Sequence, residues 1–398
     1  MQIKVVPGKL SGTLQAISSK SQAHRLLICA ALSNKDCEIF CPDTNEDIDA
    51  TVSCLNALGA TIKRSGSYFY VSPIRFLPGD AVLDCRESGS TLRFMLPLVG
   101  ALGVNATFVL HGRLGKRPLS PLWEEMERMG CQLTRPTEDT VRCTGRLKPG
   151  CYTIDGGVSS QFITGLLFAT AILPGKSRIQ ITGTVQSKPY IDITMDVLSR
   201  FGVVIDSYEI DGAYPLNGPD KLSVEGDWSN AAFFLVANAL GSKIELLNLN
   251  PDSFQGDRRI NELITMMNEQ QKIDVADIPD LMPILSVLAA AKRGAIFTNI
   301  QRLRLKESDR VQSVREMLGK MGIRTEETDD TLSVYPGQFC SCTVDSYNDH
   351  RIAMSAAIAG TAATGTIEII NAQCVRKSYP AFWADFAELG GNYEQLEG

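Results

Sequence analysis

Six polar turns carry most of the residues in this chain that could do chemistry: Ser19-Lys20-Ser21, Glu87-Ser88-Gly89-Ser90, Ser159-Ser160-Gln161, Asp227-Trp228-Ser229, Ile278-Pro279-Asp280 and Asp349-His350-Arg351. Each opens an apolar, helix-like run. Several include Lys or Arg although the chain as a whole is acidic, with a formal charge of -6. The first N–H groups of a helix lack intrahelical acceptors and carry a partial positive charge. Helix starts combined with Lys, Arg and Ser hydroxyls are therefore suited to multiply anionic small molecules. The expected ligands carry phosphate and carboxylate groups.

Positioning such turns requires a repeated scaffold, and the sequence has one. After each turn and its apolar run comes a β-branched strand: Glu38-Ile39-Phe40, Ala106 to Leu110, Arg178 to Thr182, Lys243 to Leu247, Ala295 to Thr298 and Thr366 to Ile370. An amphipathic segment ending on Gly59, Gly130, Gly202, Gly322 or Gly390 follows, with Asn268 in the corresponding place of a worn copy. Glycine is expected where a helix stops in the left-handed conformation, and Asn tolerates it. The unit is thus helix, strand, helix, strand, strand. The first helix is apolar nearly all round, as in Phe162 to Ala169, and so is expected to be buried. The fold class is α/β (α+β), with two similar domains of three βαβαββ-type units each. Residues 1-18 supply N-terminal strands that join the second domain; 19-221 form the first three-repeat domain and 222-398 the second.

Composition narrows the function. At 398 residues, 44% hydrophobic and 21% charged, the chain is long enough for two globular domains. Its acidic balance argues against broad nucleic-acid binding, which needs a basic stripe. No apolar run approaches the roughly 18 residues of a membrane span, and no signal-peptide pattern precedes Ile3, so a cytoplasmic protein is expected. Eleven scattered Cys without a CxxC pair, and only His24, His111 and His350, point to reduced thiols and no metal site.

Seven strings, in order along nearly the whole chain, resemble the enolpyruvyl transferases, and within them the branch acting on shikimate 3-phosphate. They are Ser19 to Arg25, Arg117-Pro118, Ser159 to Phe162, Ser187 to Thr194, Arg304 to Arg310, Asp349 to Met354 and Lys377 to Pro380. The resemblance implies an inverse α/β barrel in each domain and an active site in the interdomain cleft. The implied reaction transfers the enolpyruvyl group of phosphoenolpyruvate to the 5-hydroxyl of shikimate 3-phosphate, a step of aromatic amino acid biosynthesis. It proceeds by addition and then elimination of phosphate, with no cofactor and no metal, in a monomer without nucleic-acid or membrane partners. By fit to the family's motifs, Lys20, Ser21, Arg25, Ser159, Ser160, Gln161, Ser187, Tyr190, Asp280 and Lys306 would bind shikimate 3-phosphate. Lys20, Gly89, Arg117, Gln161, Arg310, Arg351 and Lys377 would bind phosphoenolpyruvate, and Asp280, Lys20, Glu307 and Lys306 would be catalytic. Which of Lys20, Asp280 and Glu307 performs each proton transfer stays open.

Electrostatics agree with that set. Two phosphate monoesters and two carboxylates bring roughly -5 to -6, so the substrates repel each other unless cations such as Lys20, Arg25, Arg93, Arg117, Lys306, Arg310, Arg351 and Lys377 neutralise them. Two departures stand out. Arg86-Glu87-Ser88-Gly89-Ser90 replaces the family's frequent Gly-Asn-x-Gly-Thr, which puts an acidic Glu87 near the expected phosphoenolpyruvate site. Arg302 stands where some relatives carry Asn. The alternative is a UDP-N-acetylglucosamine enolpyruvyl transferase, which generally uses a loop Cys where this chain has Gly112. A non-catalytic, clamp-like repeat protein would need a basic ring surface that the sequence does not offer.

Overall fold

The computed structural model describes residues 1–396 and divides into two compact units. One lobe is continuous, Ser18–Glu225; the other combines Met1–Ile17 with Gly226 onward. Each has its own apolar core.

The second repeat shows the building plan. Strand Asp80–Asp84 runs into helix Gly89–Leu102, which returns the chain to Asn105–Val109, parallel to the first strand. Helix Leu122–Arg128 follows, and the hairpin Cys131–Thr137 with Thr140–Gly145 completes the sheet, its second strand antiparallel to Asn105–Val109. The third and fifth repeats have the same strand order. A parallel pair needs a long crossover, which the apolar helix provides while covering the sheet.

The other three repeats borrow strands. Lys221–Ser223, the last strand of the continuous lobe, pairs in parallel with Cys37–Phe40 and opens the first sheet. Gln2–Val6 lies between Ile367–Ile370 and Asn392–Leu396, filling the position a hairpin strand occupies elsewhere. Ser11–Gln15 pairs with Lys243–Leu247 in a sheet of two strands. The fourth repeat therefore lacks the hairpin that the sequence pattern assigns to every unit. Its helix ends at Met266, and Gln271–Asp274 already belongs to the fifth sheet. Among the described residues the strands form six separate sheets with open edges, not one closed barrel per lobe.

The helices opening each repeat are buried on all sides; in Ser160–Ile172 every residue after Gln161 is buried. Gly165 lets this helix touch Gly89–Leu102, because a methyl there would run into the Arg93 carbonyl. The five closing glycines all have positive φ, from 78° to 115°. Asn268 does not; its side-chain amide donates to the Thr265 carbonyl at 3.2 Å, an alternative a glycine cannot form.

Candidate active site

The starts of the buried helices differ between the lobes. In the continuous lobe three neutral hydroxyls cap them: Ser19 accepts from the Gln22 N–H, Ser88 from Thr91 and Ser159 from Gln161. In the other lobe the caps are carboxylates, with Asp227 accepting from Asn230 and Asp349 from Arg351. The remaining helix begins at Met282 without a side-chain cap, and Asp280 lies ahead of it engaged with arginines. Six equivalent anion-holding turns are thus not what the fold builds, because two helix starts already hold an internal anion.

Within the continuous lobe the expected residues form one contiguous group. Lys20, the first residue of its helix, pairs with Asp47 at 2.9 Å. Arg25, one turn further in and 2% exposed, donates to Thr194 Oγ1 at 2.8 Å and to the carbonyls of Ser21 at 2.5 Å and Tyr190 at 2.9 Å. Its guanidinium sits 5.1 Å from the Phe94 ring centroid. Arg25 thereby ties Ser21 on one helix to Tyr190 on the helix Lys188–Arg200. Ser187, just before that helix, is buried with φ 56°, a left-handed conformation that serine adopts only when its surroundings impose it.

Gly89 begins the second buried helix against two guanidinia: a methyl there would lie 2.6 Å from Arg117 Nη1 and 3.2 Å from Arg93 Nη1. Arg93 donates to Gln161 Oε1 at 2.6 Å, and Gln161 donates through Nε2 to Ser90 Oγ at 2.9 Å. Gln161 follows Ser159 and Ser160, so the second and third helix starts are joined side chain to side chain. Glu87 lies against Gly112, where a Cβ would collide with its carboxylate. A cysteine at position 112 would therefore displace Glu87.

In the second lobe the candidates cluster around Arg310, which is 1% exposed. Its guanidinium meets three carboxylates, Asp280 at 2.9 Å, Glu307 at 2.8 Å and Asp349 at 3.0 Å. Arg351 pairs with the other Asp280 oxygen at 2.9 Å and donates to Ser229 Oγ at 3.1 Å. Ser308 donates to Asp349, and Lys377 Nζ donates to the Asn348 carbonyl at 3.1 Å, beside the same helix start. Burial alone would raise the Asp280 carboxyl, but Arg351, Lys306 and Arg310 hold it well below the usual carboxylate range. Burial lowers the Lys306 ammonium to about 8 in spite of Asp280, with Arg310 and Arg302 adding to the effect. Arg304 faces elsewhere, pairing with Glu327 and with Asp309.

Sequence reasoning did not single out Asp47, Asp349, Ser90 or Ser308 as site residues. Asp47 lies in the first turn of its helix, where an acid is commonplace, and Asp349 reads as an ordinary cap. Only the packing shows that the first meets Lys20 and the second Arg310.

Comparison with known proteins adds a family. The EPSP synthase (3-phosphoshikimate 1-carboxyvinyltransferase) family model matches residues 5–386. A 3-phosphoshikimate 1-carboxyvinyltransferase of Clostridium kluyveri is 38% identical, covering 99% of this chain and 98% of its own length. One from Clostridium perfringens is also 38% identical, with 98% of each covered. An EPSP synthase structure from Acinetobacter baumannii superimposes with a TM-score of 0.81 at 24% identity, covering all of both chains, which is a likeness of fold.

Proposed function

Because the chain belongs to the EPSP synthase family, we propose that it transfers the enolpyruvyl group of phosphoenolpyruvate to the 5-hydroxyl of shikimate 3-phosphate. Phosphate is released, in the aromatic branch of biosynthesis. The observation that carries this reading is the gathering of Lys20, Arg93, Arg117 and Gln161 around serine-capped helix starts. There the caps are neutral hydroxyls rather than carboxylates, and the cations lie at or beside the same helix starts.

Lys20, Gly89, Arg117, Gln161, Arg310, Arg351 and Lys377 would take phosphoenolpyruvate. Ser21, Arg25, Ser159, Ser160, Ser187, Tyr190, Asp280 and Lys306, with Lys20 and Gln161, would take shikimate 3-phosphate. Asp280 is held ionised, the form that can accept the hydroxyl proton as the 5-oxygen attacks C2, and Lys306 stabilises the carboxylate beside it. Lys20 and Glu307 are the groups proposed for proton transfer at C3. Addition and elimination need only proton transfers, so the reading includes neither cofactor nor metal. No helix among the described residues is long and apolar enough to cross a membrane. We take the protein as a cytoplasmic monomer, which sedimentation can check.

Phosphate release measured with phosphoenolpyruvate and either acceptor tests the reading. Turnover with shikimate 3-phosphate alone is expected; turnover only with UDP-N-acetylglucosamine, or with neither, overturns it. Lys20→Met and Arg117→Ala should abolish turnover with an unchanged circular dichroism spectrum, and near-normal activity would remove those residues from the site.

A further inference from the structure

One turn inward from the Lys20–Asp47 pair, three helices of the continuous lobe are joined by a chain of buried polar atoms. His24 Nδ1 lies 2.7 Å from Thr51 Oγ1, which lies 2.8 Å from Thr91 Oγ1, which in turn donates to Ser88 Oγ at 2.8 Å. His24 and Ser88 are each 1% exposed, and Thr51 and Thr91 are fully buried. His24 sits one turn after Lys20 on its helix, and Thr51 one turn after Asp47 on Glu46–Ala57. Thr91 Oγ1 also lies 3.4 Å from the Asp47 carbonyl, and Ser88 is the cap that leads into Gly89. The chain therefore runs one turn behind both members of the ion pair and ends at the helix start beside Arg117.

Stability does not explain these residues. His24 Nε2 is buried without a hydrogen-bond partner, a cost an apolar residue would avoid. Burial, with Lys20 and Arg25 nearby, holds the imidazolium well below its ordinary range, so the ring is neutral. The cheaper tautomer leaves Nε2 as a bare lone pair and places the proton on Nδ1. Nδ1–H then donates to Thr51, Thr51 to Thr91 and Thr91 to Ser88, and this single direction fixes the Thr51 and Thr91 hydroxyl rotors.

We propose that His24 is a positioning residue for phosphoenolpyruvate: through the Thr51 and Thr91 hydroxyls it fixes the helix that carries Asp47 against the helix of Lys20 and sets the Ser88-capped helix start at Gly89. The inference rests on the reading that Lys20 and Gly89 meet phosphoenolpyruvate. Lys20, Asp47 and Gly89 come from three different helices, so their spacing depends on the rotation of each helix about its axis. A chain of directed hydrogen bonds fixes that rotation more tightly than apolar contact does.

Thr51→Val keeps the volume and removes the hydroxyl, whereas Thr51→Ser keeps the hydroxyl. Thr51→Val should raise KM for phosphoenolpyruvate about fivefold or more, the worth of one hydrogen bond, and raise KM for shikimate 3-phosphate, which shares Lys20 but not Gly89, by a clearly smaller factor. Thr51→Ser should restore the parent value. His24→Leu should give the same split, and combining it with Thr51→Val should add nothing further, as members of one chain are not independent. Titration with phosphoenolpyruvate alone, read by intrinsic fluorescence, should show the same loss without requiring turnover. If the parent binds phosphoenolpyruvate but does not turn over, the reaction assigned above is wrong and the positioning role stands. Both KM values within twofold of the parent in Thr51→Val and His24→Leu, equal rises in both, or a parent that does not bind phosphoenolpyruvate would overturn it.

Discussion

Arg25 and Arg310 are both nearly inaccessible arginines on helices, one in each lobe, and they are treated in opposite ways. Arg25 is bonded to a hydroxyl and to backbone carbonyls, so burial dominates and weakens its hold on the proton. Burial weighs against Arg310 too, but Asp349, Glu307 and Asp280 outweigh it and its protonated form is strengthened. The helix caps follow the same division, serine in one lobe and aspartate in the other. One lobe thus surrounds its buried arginine and caps its helix starts with neutral groups. The other holds its buried arginines in place with its own carboxylates.

Variants can break or sharpen this contrast. Arg310→Met leaves the Asp349 carboxylate buried without its cation and should cost about 3–5 kcal/mol of stability in denaturant unfolding. Arg25→Met strands no carboxylate, so its stability loss should be smaller. The same variant should weaken shikimate 3-phosphate binding by about 2–5 kcal/mol, the penalty for removing one partner of a desolvated charge pair, measurable by calorimetry. Equal stability losses in the two variants would erase the distinction. Gly89→Ala should raise KM for phosphoenolpyruvate by the equivalent of about 1–3 kcal/mol, because the methyl presses on Arg117 and Arg93. The smallest effect is in the pH profile. Lys306 has its pKa lowered to about 8, so its charge is lost as pH rises through that value, where a free lysine would still be protonated. The alkaline limb of kcat/KM for shikimate 3-phosphate should fall there, and Lys306→Arg should move it to higher pH. A limb unchanged in that variant assigns the titration to another group.

Much of this arrangement was legible in the residues. All-round apolarity identified the buried helices, the closing glycines marked helix ends, and the polar turns marked helix starts. The borrowed strands were harder: Lys221–Ser223 pairs with a segment that its sequence neighbours do not announce, and the N-terminal strands were expected in the second domain without their partners being legible. The fourth repeat read as complete because a strand-like segment does follow its helix, and only the pairing shows that it belongs to the next sheet. At the site, residue types revealed the cations but not their partners. Asp47 with Lys20, and Asp349 with Arg310, join residues 27 and 39 positions apart. Such distances carry no local periodicity to read.

The interposition of Gln2–Val6 between Ile367–Ile370 and Asn392–Leu396 constrains how the molecule is made. Ser18–Glu225 can close its core while later codons are still being translated, since all its strands come from one stretch. The opening segment must wait, with an unsatisfied strand edge, until its mates emerge from the ribosome. That interval is when a chaperone or an unwanted intermolecular pairing has its best access.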